Sequence, residues 1–267
     1  MQLLTSFISF FLLTSVQSAP SDCSCGIENV KTRIINGRKA PVYQFPWLVY
    51  IESEQSTDES GQTYTSSCTG SIISDRHILT AAHCVRSGQD PRTVYVWTFQ
   101  GCGKKRMSAT IEPLRVNRIS IHPEYVSDDE TATPNDAAVL QLAQPFKFNS
   151  TFTPICLSQK MFTKTSDLTN LVSAGWGKTN GLLPFTLKDS DCLMFADLDV
   201  VADSECHRYW EGTNFRTTMC AGGHGNICDG DSGGPLMTRH DGLVYQIGIT
   251  SFGRKDCGIA TKTPSGF

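Results

Sequence analysis

Neither sign of charge is in large excess in this chain: 23 Lys and Arg stand against 26 Asp and Glu, leaving a net charge of −3 over 267 residues. That balance argues against nucleic acid as a main partner, which would need clustered cations. Long hydrophobic runs are missing beyond the N-terminus, so no later stretch is long enough for a membrane helix and no membrane partner is expected. The N-terminal run itself, Leu3 to Leu13, is too short to span a bilayer. It reads as the core of a secretory signal over residues 1–18, with small residues suited to cleavage after Ser18, although the leading residues lack Lys and Arg. A secreted, extracellular protein is therefore expected. Internal repeats and low-complexity tracts are absent, and helical patterning is sparse, credible only at Ala81–Val85 and Asp203–Tyr209. Around GKKRM at 103–107 carboxylates are scarce apart from Glu112, too few for a hard cation, so no calcium site is expected there; no metal or other cofactor is expected anywhere.

What the chain does carry is an all-β pattern. Runs rich in Val, Ile, Tyr and Phe recur between turn clusters: WLVYI at 47–51, SIIS at 71–74, VYVWTF at 94–99, AAVLQL at 137–142, LVSAGWG at 171–177, ADLDVV at 196–201 and YQIGITSFG at 245–253. Residues 34–267 suffice for one domain with a sizeable core or for two fused barrels. Eleven cysteines behind an export signal imply a disulfide framework with one cysteine left over, an odd count that permits a free thiol, a bridge to another molecule or an incomplete sequence. The charged stretch ESEQSTDES at 52–60 reads as a solvated loop, and GKKRM as surface charge rather than an anion-binding exosite. Asn149-Ser150-Thr151 is a glycosylation sequon.

The chemistry sits in two short motifs, TAAHC at 80–84 and GDSGGP at 230–235. A serine hydroxyl is a weak nucleophile until a base takes its proton, and imidazole is the side chain suited to that at neutral pH. His83 and Ser232 supply the pair, and Asp136 in PNDAAVLQL supplies a carboxylate to orient the imidazole. Taken singly, a His beside a Cys is more often packed core and Asp-Ser-Gly-Gly more often a turn. Together, in the order His, Asp, Ser, they form the chymotrypsin-type arrangement rather than that of subtilisins or α/β-hydrolases. With RIING at 33–37 and PSGF at 264–267, the chain resembles the S1-family, trypsin-like serine proteases from residue 33 to its last residue.

The resemblance implies an all-β fold of two six-stranded antiparallel barrels, His83 and Asp136 from the first and Ser232 from the second. A secreted serine endopeptidase acting on polypeptides is the expected function, with Gly230 and Ser232 amides as the oxyanion hole. A non-catalytic homologue acting as a binding protein is the rival, disfavoured because the triad, Gly230 and Asp231 are all in place. Cleavage at Arg33–Ile34 is expected to free an ammonium for Asp231, making residues 19–33 a pro-segment that remains attached and the chain a zymogen. The resemblance also assigns the bonds Cys68–Cys84, Cys206–Cys220, Cys228–Cys257 and Cys25–Cys156, and places Cys102 and Cys192 in neighbouring loops as a fifth pair, leaving Cys23. The loop 126–135 borders the family's substrate groove, where Asp128, Asp129 and Glu130 could favour basic residues. Ser251, Phe252 and Gly253 match the segment that pairs with substrate backbone. Asn226 falls at the base of the primary pocket where trypsins carry Asp, Ile227 adds a bulky wall, and Ser265 replaces a pocket-lining glycine. Small or medium apolar side chains are expected there, with large aromatics admitted if Ile227 turns outward, and Arg and Lys disfavoured. A separate trypsin-like protease must then cut Arg33, and protein protease inhibitors are further expected partners. The family continues past the position of Phe267 with a strand ending and a helix on the second barrel, so the 34–267 peptidase domain is expected to be incomplete at this end: either the sequence is a fragment, or the molecule is impaired and leaves an apolar surface uncovered.

Overall fold

A computed structural model describes residues 24–29, 38–57, 59–104, 111–126, 134–149, 151–157, 168–180, 187–211, 217–223, 227–254, 257 and 264–267. The first half contains β1 (Arg38–Lys39), β2 (Leu48–Thr57), β3 (Thr63–Ile72), β4 (His77–Thr80), β5 (Val94–Trp97), β6 (Leu114–Ile121) and β7 (Ala138–Leu142). Strands β2 to β7 close into a barrel in the order β2-β3-β4-β7-β6-β5. The second half carries β8 (Cys156–Leu157), β9 (Leu171–Gly175), β10 (Thr179–Asn180), β11 (Leu187–Lys188), β12 (Met194–Val201), β13 (Cys220–Gly222), β14 (Pro235–His240), β15 (Leu243–Ile249) and β16 (Ser265–Gly266). Seven of them form the path β16-β13-β12-β9-β14-β15-β8, with β1 added on β12, so the N-terminal strand of the first half joins the sheet of the second. The one α-helix among the described residues, α1, covers Asp203–Cys206, and a 3₁₀ turn covers Ala82–Cys84.

The strands follow the alternation of the sequence. In β7 the burial reads buried, half-buried, buried along AVLQL, placing Ala138, Leu140 and Leu142 in the barrel, while β9 is buried throughout because its two faces meet different apolar clusters, Leu171 in one and Val172 and Ala174 in the other. Trp47, Ile51, Leu140, Trp176 and Met237 share one apolar cluster running across both halves, and Leu171, Leu198, Ile227, Leu236 and Phe267 form a second. Polar clasps cross the same boundary: Trp47 Nε1 donates to Met237 Sδ at 3.2 Å and Ser71 Oγ to Gln246 Oε1 at 2.5 Å.

The structure corrects one reading. Residues 52–57 are not loop but the second half of β2, paired with β3 through Thr57↔Thr63. Their charges are used: Glu52 Oε2 accepts Trp97 Nε1 and Glu54 Oε1 accepts the Tyr95 hydroxyl, while Gln55 reaches Ser66. Five disulfides are present, Cys25–Cys156, Cys68–Cys84, Cys102–Cys192, Cys206–Cys220 and Cys228–Cys257. A cavity of about 370 Å³, lined by Leu157, Ile247, Ile249 and Phe267 among others, opens beside Asp136.

Candidate active site

Register brings His83 and Asp136 together. Strands β4 and β7 pair antiparallel with Thr80 opposite Ala138, so the end of β4 lies beside the start of β7. His83 follows β4 in the 3₁₀ turn and Asp136 precedes β7 by two residues. The carboxylate grips both ends of the histidine: Oδ1 accepts the His83 backbone N–H at 2.9 Å and Oδ2 accepts Nδ1 at 2.7 Å. The Asp136 side chain is 4% exposed and that of His83 35%, so the acid is sealed while the imidazole still faces the cleft. A third donor comes from the other half, Ser251 Oγ to Asp136 Oδ2 at 2.6 Å. Burial pushes Asp136 upward, but the hydrogen bonds and charge of His83 with the bond from Ser251 outweigh it and hold the carboxyl below its ordinary range. An ionised Asp136 fixes the imidazole proton on Nδ1 and leaves Nε2 as the basic nitrogen.

Ser232 arrives on a loop stitched to both walls. Thr69 N–H donates to the Ser232 carbonyl at 2.8 Å, and Thr69 Oγ1 donates to the Gly230 carbonyl at 2.9 Å. On the other side Gly233 N–H donates to Thr250 O and Thr250 N–H to Gly234 O, each at 2.8 Å. Two glycines are sterically required. Gly233, at φ +78°, packs so closely on β4 that a Cβ would collide with Thr80 Oγ1 and the Thr69 carbonyl. Gly230 has φ +98°, and a Cβ there would lie 3.0 Å from Gly177 Cα and 3.3 Å from the Trp176 carbonyl oxygen. The loop thus lies against the segment leading to His83, with Ser232 half-buried.

Between Gly230 and Ser232, Asp231 turns inward and is buried. Its Oδ1 accepts Gly177 N–H at 2.8 Å and its Oδ2 accepts Cys228 N–H at 3.0 Å. Burial pushes its carboxyl up to about 6, only partly offset by those two amides and by the charge of Lys104. Beside it, Asp229 pairs with Lys178 at 2.9 Å on the surface.

Of the expected pocket residues, Ile227 and Ser265 are buried and Gly253 is exposed; Ser265 Oγ lies 3.2 Å from where a Cβ on Gly253 would stand, so the two walls approach each other. Ile227 packs with Leu236 and Phe267. The Phe252 ring stacks edge-on with Trp210 at 5.0 Å, and Trp210 Nε1 donates to the Pro264 carbonyl. Asn149 sits on an exposed turn, its side-chain oxygen accepting Thr151 and Phe152 N–H. Arg33, Ile34, Cys23, Asn226, Asp128, Asp129, Glu130 and residues 105–107 lie outside the described residues. The sulfurs of Cys68 and Cys84 gather near His83, but they are bonded to each other and offer a metal no thiolate. Sequence reasoning missed Thr69, Gly177, Lys104 and Trp210. The first two act through backbone amides or a short hydroxyl, and only the proximity of Thr69 to Cys68 hints at a role.

A closed barrel that holds a His-Asp pair, set against a second β-sheet entered through a serine loop, defines a serine hydrolase architecture. The trypsin family model matches residues 34–267, and the chain belongs to that family. Relatives include CLIP domain-containing serine protease B4 of Anopheles gambiae, 33% identical over 90% of this chain and 68% of its own length. Serine protease 7 of Drosophila melanogaster is 31% identical over 90% of this chain and 63% of its length, and Venom serine protease Bi-VSP of Bombus ignitus 32% over 88% and 65%. The chain thus spans about two thirds of the length of these relatives.

Proposed function

We propose that this chain is a secreted serine endopeptidase, made as a zymogen, that hydrolyses polypeptides through an acyl-enzyme on Ser232. The observation that carries the reading is the His83–Asp136–Ser251 hydrogen-bonded cluster, with the Ser232 loop packed on the Thr80–Ala81 segment that leads to His83. In the forward step Ser232 Oγ attacks the scissile carbonyl while His83 Nε2 takes its proton; the proton then passes to the leaving amine, and water repeats the sequence to release the acid. The Gly230 and Ser232 amides receive the oxyanion, each worth about 3 kcal/mol of barrier. Cleavage at Arg33–Ile34 by a trypsin-like protease supplies Asp231 with an ammonium, and the light chain stays attached through Cys25–Cys156. The names of the relatives, all proteases, support polypeptide substrates.

The primary pocket lacks a carboxylate at Asn226 and is narrowed by Ile227 and Ser265. A buried guanidinium or ammonium there loses several kcal/mol. Small and medium apolar residues are the proposed preference. The test of the reaction is a fluorophosphonate probe on the chain cut at Arg33: a covalent adduct mapped to Ser232 is expected, and an adduct that persists in Ser232→Ala sinks the assignment.

A further inference from the structure

One half-buried cation lies beside the catalytic loop without belonging to it. Lys104 Nζ donates to the Trp176 carbonyl oxygen at 3.2 Å and stands 5.3 Å above the centre of the Tyr50 ring. Trp176 C=O is one end of a peptide unit whose other end, Gly177 N–H, donates to Asp231 Oδ1 at 2.8 Å. Ammonium, peptide and carboxylate therefore form a relay through a single amide: the cation polarises the carbonyl, and the N–H at the far end becomes a better donor to the carboxylate. The same peptide is the surface on which Gly230 rests, since a Cβ on Gly230 would meet Gly177 Cα and the Trp176 oxygen. One peptide unit thus supports both the carboxylate behind the oxyanion turn and the glycine within it.

The loop that delivers Lys104 is pinned from outside. Gly103 and Lys104 N–H both donate to the Asp191 carbonyl, at 2.9 and 3.2 Å, and the Cys102–Cys192 disulfide fastens the same two segments. The groups facing the ammonium are Asp189, Asp231, Asp191 and Glu52; burial pulls Lys104 below its ordinary range and these carboxylates pull it back. The Tyr50 phenol, pushed up to about 12 by burial, stays neutral beneath it.

We propose that Lys104 is a positioning residue for the oxyanion hole, its ammonium holding the Trp176–Gly177 peptide so that Asp231 and Gly230 are kept in place. The proposal rests on the reading of Gly230 and Ser232 as oxyanion donors.

The test uses the full chain cut at Arg33 and an apolar peptide substrate. Lys104→Gln keeps a donor for the Trp176 oxygen and removes the charge; Lys104→Met removes both; Lys104→Arg keeps both. For Gln and Met the expected result is a fall in kcat of roughly tenfold with KM little changed, below the 10²–10³ of losing an oxyanion donor itself. The acid limb of the kcat profile should move to higher pH in both, because Asp231 loses the charge that favours its ionised form, and should stay in place in Lys104→Arg. A folded Gln variant with wild-type kcat and an unmoved acid limb overturns the proposal. A wild-type chain that neither labels nor turns over fails the protease reading instead, so the two failures are told apart. If Lys104→Met does not fold, Lys104→Gln alone decides.

Discussion

Asp136 orients His83 and also ties the halves together, and its three donors show how few side chains hold the site. Removing the Ser251 hydroxyl leaves a buried carboxylate one hydrogen bond short. Ser251→Ala is expected to lower kcat/KM about tenfold, the worth of one bond to a charged group, and to move the acid limb of activity upward as Asp136 becomes easier to protonate. A pH profile of the purified variant checks both; an unchanged profile contradicts them. Asp231 behaves oppositely. Its carboxyl is raised from 3.8 to about 6 in the fold, so the native chain binds that proton more tightly than the unfolded one. Stability from this residue is therefore highest below pH 4 and declines as pH rises through 6, by about 3 kcal/mol in all. Urea unfolding of the uncut chain should show that component as the difference between wild type and Asp231→Asn, which lacks the titration; matching pH slopes contradict it. The residues legible in the sequence are those whose side chains do the chemistry. Thr69, Gly177 and Lys104 were not, because their partners are backbone carbonyls, amides or carboxylates that any fold can place nearby.

At the scale of elements, apolar alternation located the strands β5, β7, β9, β12 and β15 within a few residues. It missed β4 and all but the end of β3, as well as β6, where Arg115, Asn117 and Arg118 interrupt the pattern on an exposed face, and β14, which opens on Pro235. It also misread the outer half of β2, where acidic side chains accept hydrogen bonds from Trp97 and Tyr95 rather than facing water alone. The segment 24–29 is held by more than its disulfide. Glu28 is sealed, its side chain 6% exposed, and takes a two-pronged bond from Arg239 at 2.8 and 2.9 Å with a third from Gln44 at 3.0 Å. Glu28→Gln is expected to cost about 2 kcal/mol, less than a fully buried pair because Arg239 is partly exposed. Urea midpoints under non-reducing conditions measure this, and a shift too small to detect contradicts the anchoring role.

For the whole molecule, the cleft exists because the two halves share a core and a set of crossing hydrogen bonds, of which Thr69 to Gly230 and Ser251 to Asp136 lie at the chemistry. Disulfide connectivity was readable only through family resemblance, since spacing alone leaves many pairings open. The proposed pocket rests on the same comparison of motifs, and a pocket of that character would make the chain dependent on another protease at Arg33. A fluorogenic panel varying the residue before the scissile bond should rank Ala, Val, Leu or Met above Arg and Lys; basic substrates ahead by tenfold, about 1.4 kcal/mol, would overturn the pocket assignment. The most direct test of the central claim is turnover of one such peptide by the Arg33-cleaved chain beside its Ser232→Ala variant. Loss of about a millionfold in kcat is the expected result, and substantial turnover by the alanine variant would contradict a nucleophilic Ser232.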